Sequence, residues 1–272
     1  MTISSQDQSF VGRVPRVYED VLVPLLFAPY AADLAGRVAR HRPGRVLELA
    51  AGTGALTRAL AAVLPDTAEV LATDLNPPML EQAARAGTPR GVTWQPADAA
   101  HLPAADAGRD VVVCQFGVMF FPDKPAALAE AHRVLRPGGH LLFNVWDALA
   151  GNGFTQAAHD ALAAHYGVDA PSFFARVPYA YHDPAVIAGH LAAAGFTATP
   201  TVTVMELPSR AASAHAVAQG LCHGTPLRDE IEALHPGDLS AATDVVAAAV
   251  ARQYGDGPVE GRMRALVIEV TR

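Results

Sequence analysis

The sequence contains little of what marks a secreted or metal-binding protein. Only two of its 272 residues are cysteines, Cys114 and Cys222, and they stand far apart in apolar surroundings. This spacing disfavours a disulfide framework and a cysteine-based metal site, and it suits a reducing compartment. We therefore expect a cytoplasmic protein without a metal.

Charge and long apolar runs are also scarce. Charged residues make up 17% of the chain, the formal net charge is −7, and no lysine–arginine cluster is present, which argues against nucleic acid as a partner. No uninterrupted apolar run approaches the roughly 18–20 residues of a membrane span. The apolar segment 21–30 contains Pro24 and Pro29 and follows two acidic residues, which disfavours a signal peptide. We expect a soluble monomer or homodimer with no membrane partner.

The most informative segment is 45–60, R-V-L-E-L-A-A-G-T-G-A-L-T-R-A-L. Its apolar beginning suits a buried strand, and residues 57–64 suit a helix. Between them, Gly52 and Gly54 permit a sharp turn and a close approach of the backbone to a ligand. Free N–H groups in the first helical turn favour a negatively charged group there. The segment predicts a cradle for a nucleotide.

Strands and helices alternate after this turn. Further strands are predicted at 69–73, 92–95, 110–114, 140–145, 197–207 and 262–271. Units of this size indicate an α/β fold, a doubly wound Rossmann-like sheet of seven strands with helices on both faces and a helical cap. We expect a mostly parallel sheet whose last strand is antiparallel.

We expect residues 1–272 to form a single domain that consists of a core and a cap. The predicted core comprises residues 41–147, 185–207 and 261–272. The predicted cap comprises residues 1–40, 148–184 and 208–260. Prolines in the N-terminal part predict two helices before the first strand, which lie over the ligand or merely cover the sheet edge.

Polar residues that follow the predicted strands should meet at one edge of the sheet. In such sheets, ligands bind outside the carboxyl ends of the strands, where the strand order reverses. Asp74, Asp98, Gln115 and Trp146 each come just after a predicted strand, as does the glycine turn. We therefore expect all of them to line one crevice.

Two kinds of cofactor compete for this crevice. The dinucleotide fingerprint G-x-G-x-x-G/A, with an acidic residue about 20 positions later, is met by the two glycines and Asp74, but its third position is Thr57. Carboxylates at Glu48, before the turn, and at Asp98 have no particular role in a dinucleotide site. These two residues favour a different nucleotide.

Five motifs in order resemble those of class I S-adenosylmethionine-dependent methyltransferases. They are V-L-E-L-A-A-G-T-G (46–54), T-D-L-N-P-P-M-L (73–80), P-A-D-A (96–99), D-V-V-V-C-Q-F-G (110–117) and V-L-R-P-G-G-H-L (134–141). The small-molecule group that includes the ubiquinone and menaquinone enzymes is the most similar. The resemblance covers residues 45–147 well and the remainder loosely. Ala50 stands where the family usually has its first glycine.

The resemblance implies contacts with the methionine part of S-adenosylmethionine. The backbone at Ala50, Gly52 and Gly54 would hold this part of the cofactor. Glu48 would order the loop and the amino group, and Gln115 would lie close to the sulfonium.

The resemblance also implies contacts with the adenosine part. Asp74 would accept hydrogen bonds from both ribose hydroxyls, a task that suits a carboxylate. Leu75 and Met79 would pack on the adenine, and Asp98 and Ala99 would bind its amine. The alternatives are that Asp74 caps the following helix and that Met79 simply packs in the core.

The acceptor site is less clearly marked. Methyl transfer depends mainly on alignment and on the exclusion of water. His182 and His223 are candidate catalytic bases because histidine titrates near neutrality. The candidate substrate-pocket residues are Tyr18, Phe116, Trp146, Tyr179 and Tyr181. Their aromatic character favours a small apolar acceptor, although these side chains also suit packing of the cap on the core.

We therefore expect an enzyme that transfers the methyl group of S-adenosylmethionine to O, N or C of a small, largely apolar or aromatic acceptor and releases S-adenosylhomocysteine. A protein that binds S-adenosylmethionine without transferring its methyl group stays open, because it would carry the same motifs. A nicotinamide-dependent oxidoreductase is less favoured, because the sequence lacks a Tyr-x-x-x-Lys pair.

Overall fold

The computed structural model describes residues 3–4, 6–8, 10, 12 and 14–272. Its strands are β1 (Arg45–Leu49), β2 (Glu69–Asp74), β3 (Thr93–Pro96), β4 (Arg109–Gln115), β5 (Leu135–Trp146), β6 (Thr201–Ala211) and β7 (Val259–Thr271). They form one sheet in the order β3-β2-β1-β4-β5-β7-β6. Strands β1 to β5 are parallel, and β7 is antiparallel to both β5 and β6. The predicted Rossmann-like sheet with an antiparallel last strand is confirmed.

Apolar side chains of the central strands are buried on both faces of the sheet. In β4, Val112 and Cys114 enter one hydrophobic cluster, whereas Val111 and Val113 enter another. Such continuous apolar strands are typical of parallel sheets covered on both sides. The covering helices are Val14–Arg40, Ala55–Val63, Pro77–Ala86, Lys124–Val134, Gly153–Tyr166, Phe173–Arg176, Pro184–Ala193, Ala214–His223, Leu227–Leu234 and Leu239–Tyr254.

Several strands are longer than the sequence predicts. β5 begins at Leu135 rather than at residue 140, because the pairing between β4 and β5 shifts and the Arg-Pro-Gly-Gly turn is absorbed as a bulge. β7 begins at Val259 rather than at residue 262, and β6 is shifted rather than longer, from the predicted 197–207 to Thr201–Ala211, because these two strands pair along their whole length. The division into a core and a cap stays a prediction.

The N-terminal segment forms one continuous helix, Val14–Arg40, so the prediction of two helices is wrong. Its middle part, Tyr18–Phe27, is a wider π-helix that contains Pro24, and the altered hydrogen-bonding pattern accommodates a residue that disrupts a regular α-helix. Pro29 lies in the first turn of the following α-helical part, where its missing N–H costs nothing.

This helix is long and apolar enough, by length and composition alone, to cross a membrane. However, 56% of its most apolar window is buried within the protein. Leu22 and Tyr30 pack in one hydrophobic cluster, and Leu34 packs in the other. The apolar composition is thus accounted for by contacts within the protein.

Gly54 gives a test of the turn that begins the helix Ala55–Val63. Its φ is 85°, and a Cβ atom there would lie 2.9 Å from the ring of Trp94. We expect Gly54→Ala to lower the free energy of unfolding in urea by about 1–3 kcal/mol. The control Gly36→Ala, where a Cβ meets nothing within 4 Å in a regular helix, should raise it by about 0.5–1 kcal/mol. Equal effects of the two substitutions would contradict this account.

Candidate active site

A crevice opens where β1 and β4 end, at the point where the strand order reverses. Ala50 and Phe116, the residues that follow these strands, both have left-handed backbone conformations, with φ of 50° and 51°. A Cβ atom on Gly117 would lie 2.5 Å from the Cβ of Ala50, so the two chain segments fit together only because residue 117 is glycine. The buried Asn144 stabilises the backbone conformation at Phe116, since its Oδ1 accepts a hydrogen bond from the N–H of Phe116 at 3.0 Å.

The crevice contains a cavity of about 250 Å³. Eight of the ten predicted cofactor residues line it, namely Ala50, Gly52, Asp74, Leu75, Met79, Asp98, Ala99 and Gln115. They come from the ends of four parallel strands and from the turns that follow. These residues are far apart in the sequence. Their proximity could be predicted only because ligands of such sheets bind at the carboxyl ends of the strands.

Asp74 connects the glycine turn to the loop after β2. Its Oδ2 accepts from the N–H of Gly52, and its Oδ1 accepts from the N–H of Asn76, both at 2.8 Å. Burial raises the pKa of this carboxyl, and the backbone donors act in the opposite direction. Asn76, not Asp74, precedes the helix Pro77–Ala86, so the helix-cap alternative fails. Asn76 Nδ2 also lies 3.5 Å from Oδ1, so Oδ2 is the oxygen with more capacity to accept a further hydrogen bond.

The other two predicted cofactor residues, Glu48 and Gly54, do not line this cavity. Glu48 is 1% exposed, and its Oε2 accepts from the hydroxyl of Thr57 at 2.6 Å. Burial raises the pKa of Glu48 to about 8, and the negative charge of Asp74 adds to the rise. Glu48 borders a small space of about 20 Å³ that Gln115 also lines. Gly54 instead packs against the β3 side of the sheet.

An unsatisfied amide oxygen points to a missing hydrogen-bond donor. Within the described part of the chain, the buried Oε1 of Gln115 has no hydrogen-bond partner, while its Nε2 donates to the carbonyl of Phe27 at 3.4 Å. A buried acceptor without a partner costs roughly 1–3 kcal/mol. The ammonium of an amino acid would supply a donor here and a positive charge for the nearby Glu48. The site therefore fits the methionine end of S-adenosylmethionine.

A second, aromatic cavity of about 60 Å³ adjoins the first. The two share the residues Phe10, Tyr18, Phe116 and Phe120. In the second cavity the indole of Trp146 stacks on Phe116, with ring centroids 3.9 Å apart, and the hydroxyl of Tyr179 donates to Thr155 Oγ1 at 3.0 Å. Four of the five predicted pocket residues thus lie together, next to the cofactor cavity.

Three other predicted residues lie elsewhere. Tyr181 contacts His190 Nδ1 through its hydroxyl, at 3.0 Å. His182 Nδ1 is 2.8 Å from the carbonyl of Tyr179, and His223 Nε2 is 3.0 Å from the hydroxyl of Thr243. None of the three lines either cavity. The expectation that they face the substrate is not supported, because the ring nitrogens of His182 and His223 and the hydroxyl of Tyr181 are engaged by a backbone carbonyl, a threonine and a histidine of the protein itself.

Several lining residues were missed from the sequence. Gln8 and Phe10 reach the cavity from the N-terminal segment, where Gln8 Nε2 donates to the carbonyl of Phe120 at 2.6 Å. No periodic or motif signal marks them. Gly117 could have been found, because it is the last residue of the fourth motif.

The central part of the chain matches a known protein family. Residues 47–143 match the family described as a methyltransferase domain. A demethylmenaquinone methyltransferase of Thermus thermophilus is 45% identical over 114 residues, which cover 41% of this chain and 50% of that protein. A ubiquinone/menaquinone biosynthesis C-methyltransferase of Burkholderia orbicola is 41% identical over 118 residues, covering 41% and 49%. The chain spans about half the length of the curated relatives it matches.

The whole fold is also shared with solved methyltransferases. An N-methyltransferase of Haemonchus contortus, solved with phosphomonomethylethanolamine and S-adenosylhomocysteine, has a TM-score of 0.57 at 18% identity, covering 95% of this chain and 56% of that one. At this identity the likeness concerns the fold alone. The family match therefore shows a methyltransferase domain over residues 47–143, and the solved structure shows that its fold extends over most of the chain.

Asp74 provides the first test of the cofactor cavity. We expect Asp74→Asn to weaken S-adenosylhomocysteine binding about tenfold or more, because hydrogen bonds to a charged group contribute roughly 1.5–3 kcal/mol. His182→Ala should bind as the unchanged protein does, since His182 lies outside the cavity. Isothermal titration calorimetry measures both. An equal loss in the two variants would refute the division of roles.

Glu48 makes cofactor binding depend on pH. With its pKa raised to about 8, its carboxyl is largely protonated at neutral pH, whereas a bound ammonium favours the ionised form. Binding below pH 8 should therefore release a proton, and affinity should increase from pH 6 to pH 8. Glu48→Gln should flatten this dependence in calorimetry. An unchanged pH profile in that variant would exclude Glu48 as its source.

Proposed function

We propose that this protein transfers the methyl group of S-adenosylmethionine to O, N or C of a small, largely apolar or aromatic acceptor. The observation that carries the proposal is the junction between the two cavities. Tyr18 and Phe116 line both the cavity that contains Asp74 and the aromatic cavity beside it. A donor in the first and an acceptor in the second would meet at these two side chains.

The aromatic cavity suits an uncharged acceptor. Among the described residues that line it, none is charged, and the polar groups are hydroxyls such as that of Thr155. The hydroxyl of Thr155 accepts from Tyr179 and has its own proton left to donate to a ligand. A charged acceptor would lose its hydration here without a compensating partner.

The chain contributes alignment and exclusion of water rather than a base. When bound, S-adenosylmethionine supplies a methyl group on a positively charged sulfur, which leaves as the neutral sulfur of S-adenosylhomocysteine. Asp74 and the Gly52 turn would fix the donor, while Phe116 and Trp146 would keep water from the reacting atoms. Orientation of this kind can account for about 7–11 kcal/mol of a barrier. A proton displaced from the acceptor would pass to bulk solvent, either before the acceptor enters the cavity or after the product leaves it.

The relatives favour a small-molecule acceptor. The Thermus and Burkholderia proteins are named as methyltransferases of menaquinone and ubiquinone biosynthesis. Their names support methyl transfer by this chain to a small molecule. The nicotinamide alternative loses its support, since residues 47–143 match a methyltransferase domain.

An acceptor panel tests the proposal directly. The protein is incubated with S-adenosylmethionine and with phenols, amines, thiols and quinols of low polarity, and mass spectrometry follows S-adenosylhomocysteine and methylated product. We expect product with at least one apolar class. Trp146→Phe should raise the acceptor KM with little change in S-adenosylhomocysteine affinity, whereas Asp74→Asn should weaken both donor binding and turnover. Cofactor binding without product across the panel would favour a protein that does not transfer the methyl group.

A further inference from the structure

Three metal-ligating side chains converge near the edge of the sheet opposite the active site. His41 follows the long N-terminal helix, His140 lies on β5, and Glu269 lies on β7. Each offers one donor atom, and these atoms lie within 4.8 Å of one another. His140 pairs with Val111, near the amino end of β4, whereas the cavities lie at the carboxyl ends. The cluster is therefore separate from the methyltransferase site.

The contacts within this cluster leave donor atoms available. His41 Nε2 lies 2.9 Å from Glu269 Oε1, and a metal ion could replace the shared proton. His140 Nδ1 lies 3.3 Å from the hydroxyl of Thr271, so its Nε2 is the ring nitrogen left for a metal. A partner on the second ring nitrogen orients histidine ligands in many metal sites.

The surroundings of the cluster permit an ion to enter. The side chains of His41 and Glu269 are 20% and 32% exposed. Arg136, whose positive charge acts on His140, is engaged by Asp110, with Nε and Oδ1 2.6 Å apart. The two imidazoles stack with centroids 3.8 Å apart and planes 26° from parallel. Chelation requires one ring to rotate out of this stack, which the partial exposure allows.

We propose that His41, His140 and Glu269 form a binding site for a divalent transition metal such as Zn²⁺. Two imidazoles and one carboxylate match the ligand preference of Zn²⁺ and leave a fourth position for water. The ion would fasten the end of the long helix to β5 and β7. The three residues are widely separated along the chain, so no local motif marks the site, and the expectation of a protein without a metal does not anticipate it.

Metal titration of the full-length, tag-free protein tests the site. After treatment with a chelator, the protein is titrated with Zn²⁺ in a calorimeter and with Co²⁺ by visible absorption. We expect one equivalent to bind and the Tm to rise, as for any ligand of the folded state. His140→Ala and Glu269→Gln should each lose the site, and Thr271→Val should weaken it roughly tenfold.

Two controls separate this site from adventitious binding and from misfolding. His165→Ala removes an exposed imidazole outside the cluster and should bind Zn²⁺ as the unchanged protein does. Glu269→Gln retains the volume of the side chain, and it should keep unchanged affinity for S-adenosylhomocysteine. Absence of Zn²⁺ uptake by the unchanged protein would overturn the proposal. Uptake that survives in both His140→Ala and Glu269→Gln would overturn it equally.

Discussion

The backbone bends at the ends of β1 and β4 are the constraint on which the site depends. Ala50 and Phe116 both adopt left-handed conformations, which cost non-glycine residues roughly 1–3 kcal/mol each. The missing side chain of Gly117 leaves room for Ala50, and Asn144 holds the N–H of Phe116. The two segments therefore leave the sheet in fixed directions, and the space between them becomes the cofactor cavity. The same bend places the ring of Phe116 against Trp146, so that one element shapes both cavities.

Two buried carboxyl groups, Asp74 in the wall of this cavity and Glu48 beside it, would favour a positively charged ligand. Glu48 and Asp74 are both almost inaccessible to water, and burial raises the pKa of each. Asp74 is compensated by backbone N–H groups of the turn and the following loop, whereas among the described residues Glu48 accepts a hydrogen bond from the hydroxyl of Thr57 alone. A cationic group beside them would offset the electrostatic cost of burying two ionised carboxylates. An amino acid with a sulfonium meets this requirement better than a pyrophosphate does.

The sequence predicts those parts of the molecule in which apolar residues recur with the period of a strand or a helix. Local patterns predict the apolar strands, their alternation with helices and the polar residues that follow each strand. For this reason the prediction that Asp74 and Gln115 line one crevice is correct. The N-terminal helix was divided wrongly, because its prolines are accommodated by a π-helical segment and a first-turn position. The expectation that His182 and Tyr181 contact the substrate rests on their neighbours in the sequence. In the folded chain, their side chains instead contact the carbonyl of Tyr179 and the ring of His190. Phe10 lines the cavity, but no local pattern in the sequence predicts this.

A crystal structure of the protein with S-adenosylhomocysteine tests the central claim most directly. The account predicts the ribose hydroxyls on the carboxylate of Asp74, the ammonium near Gln115 Oε1, and the sulfur directed towards the junction at Tyr18 and Phe116. A ligand bound outside the crevice between β1 and β4, or one whose sulfur points away from the aromatic cavity, would contradict it.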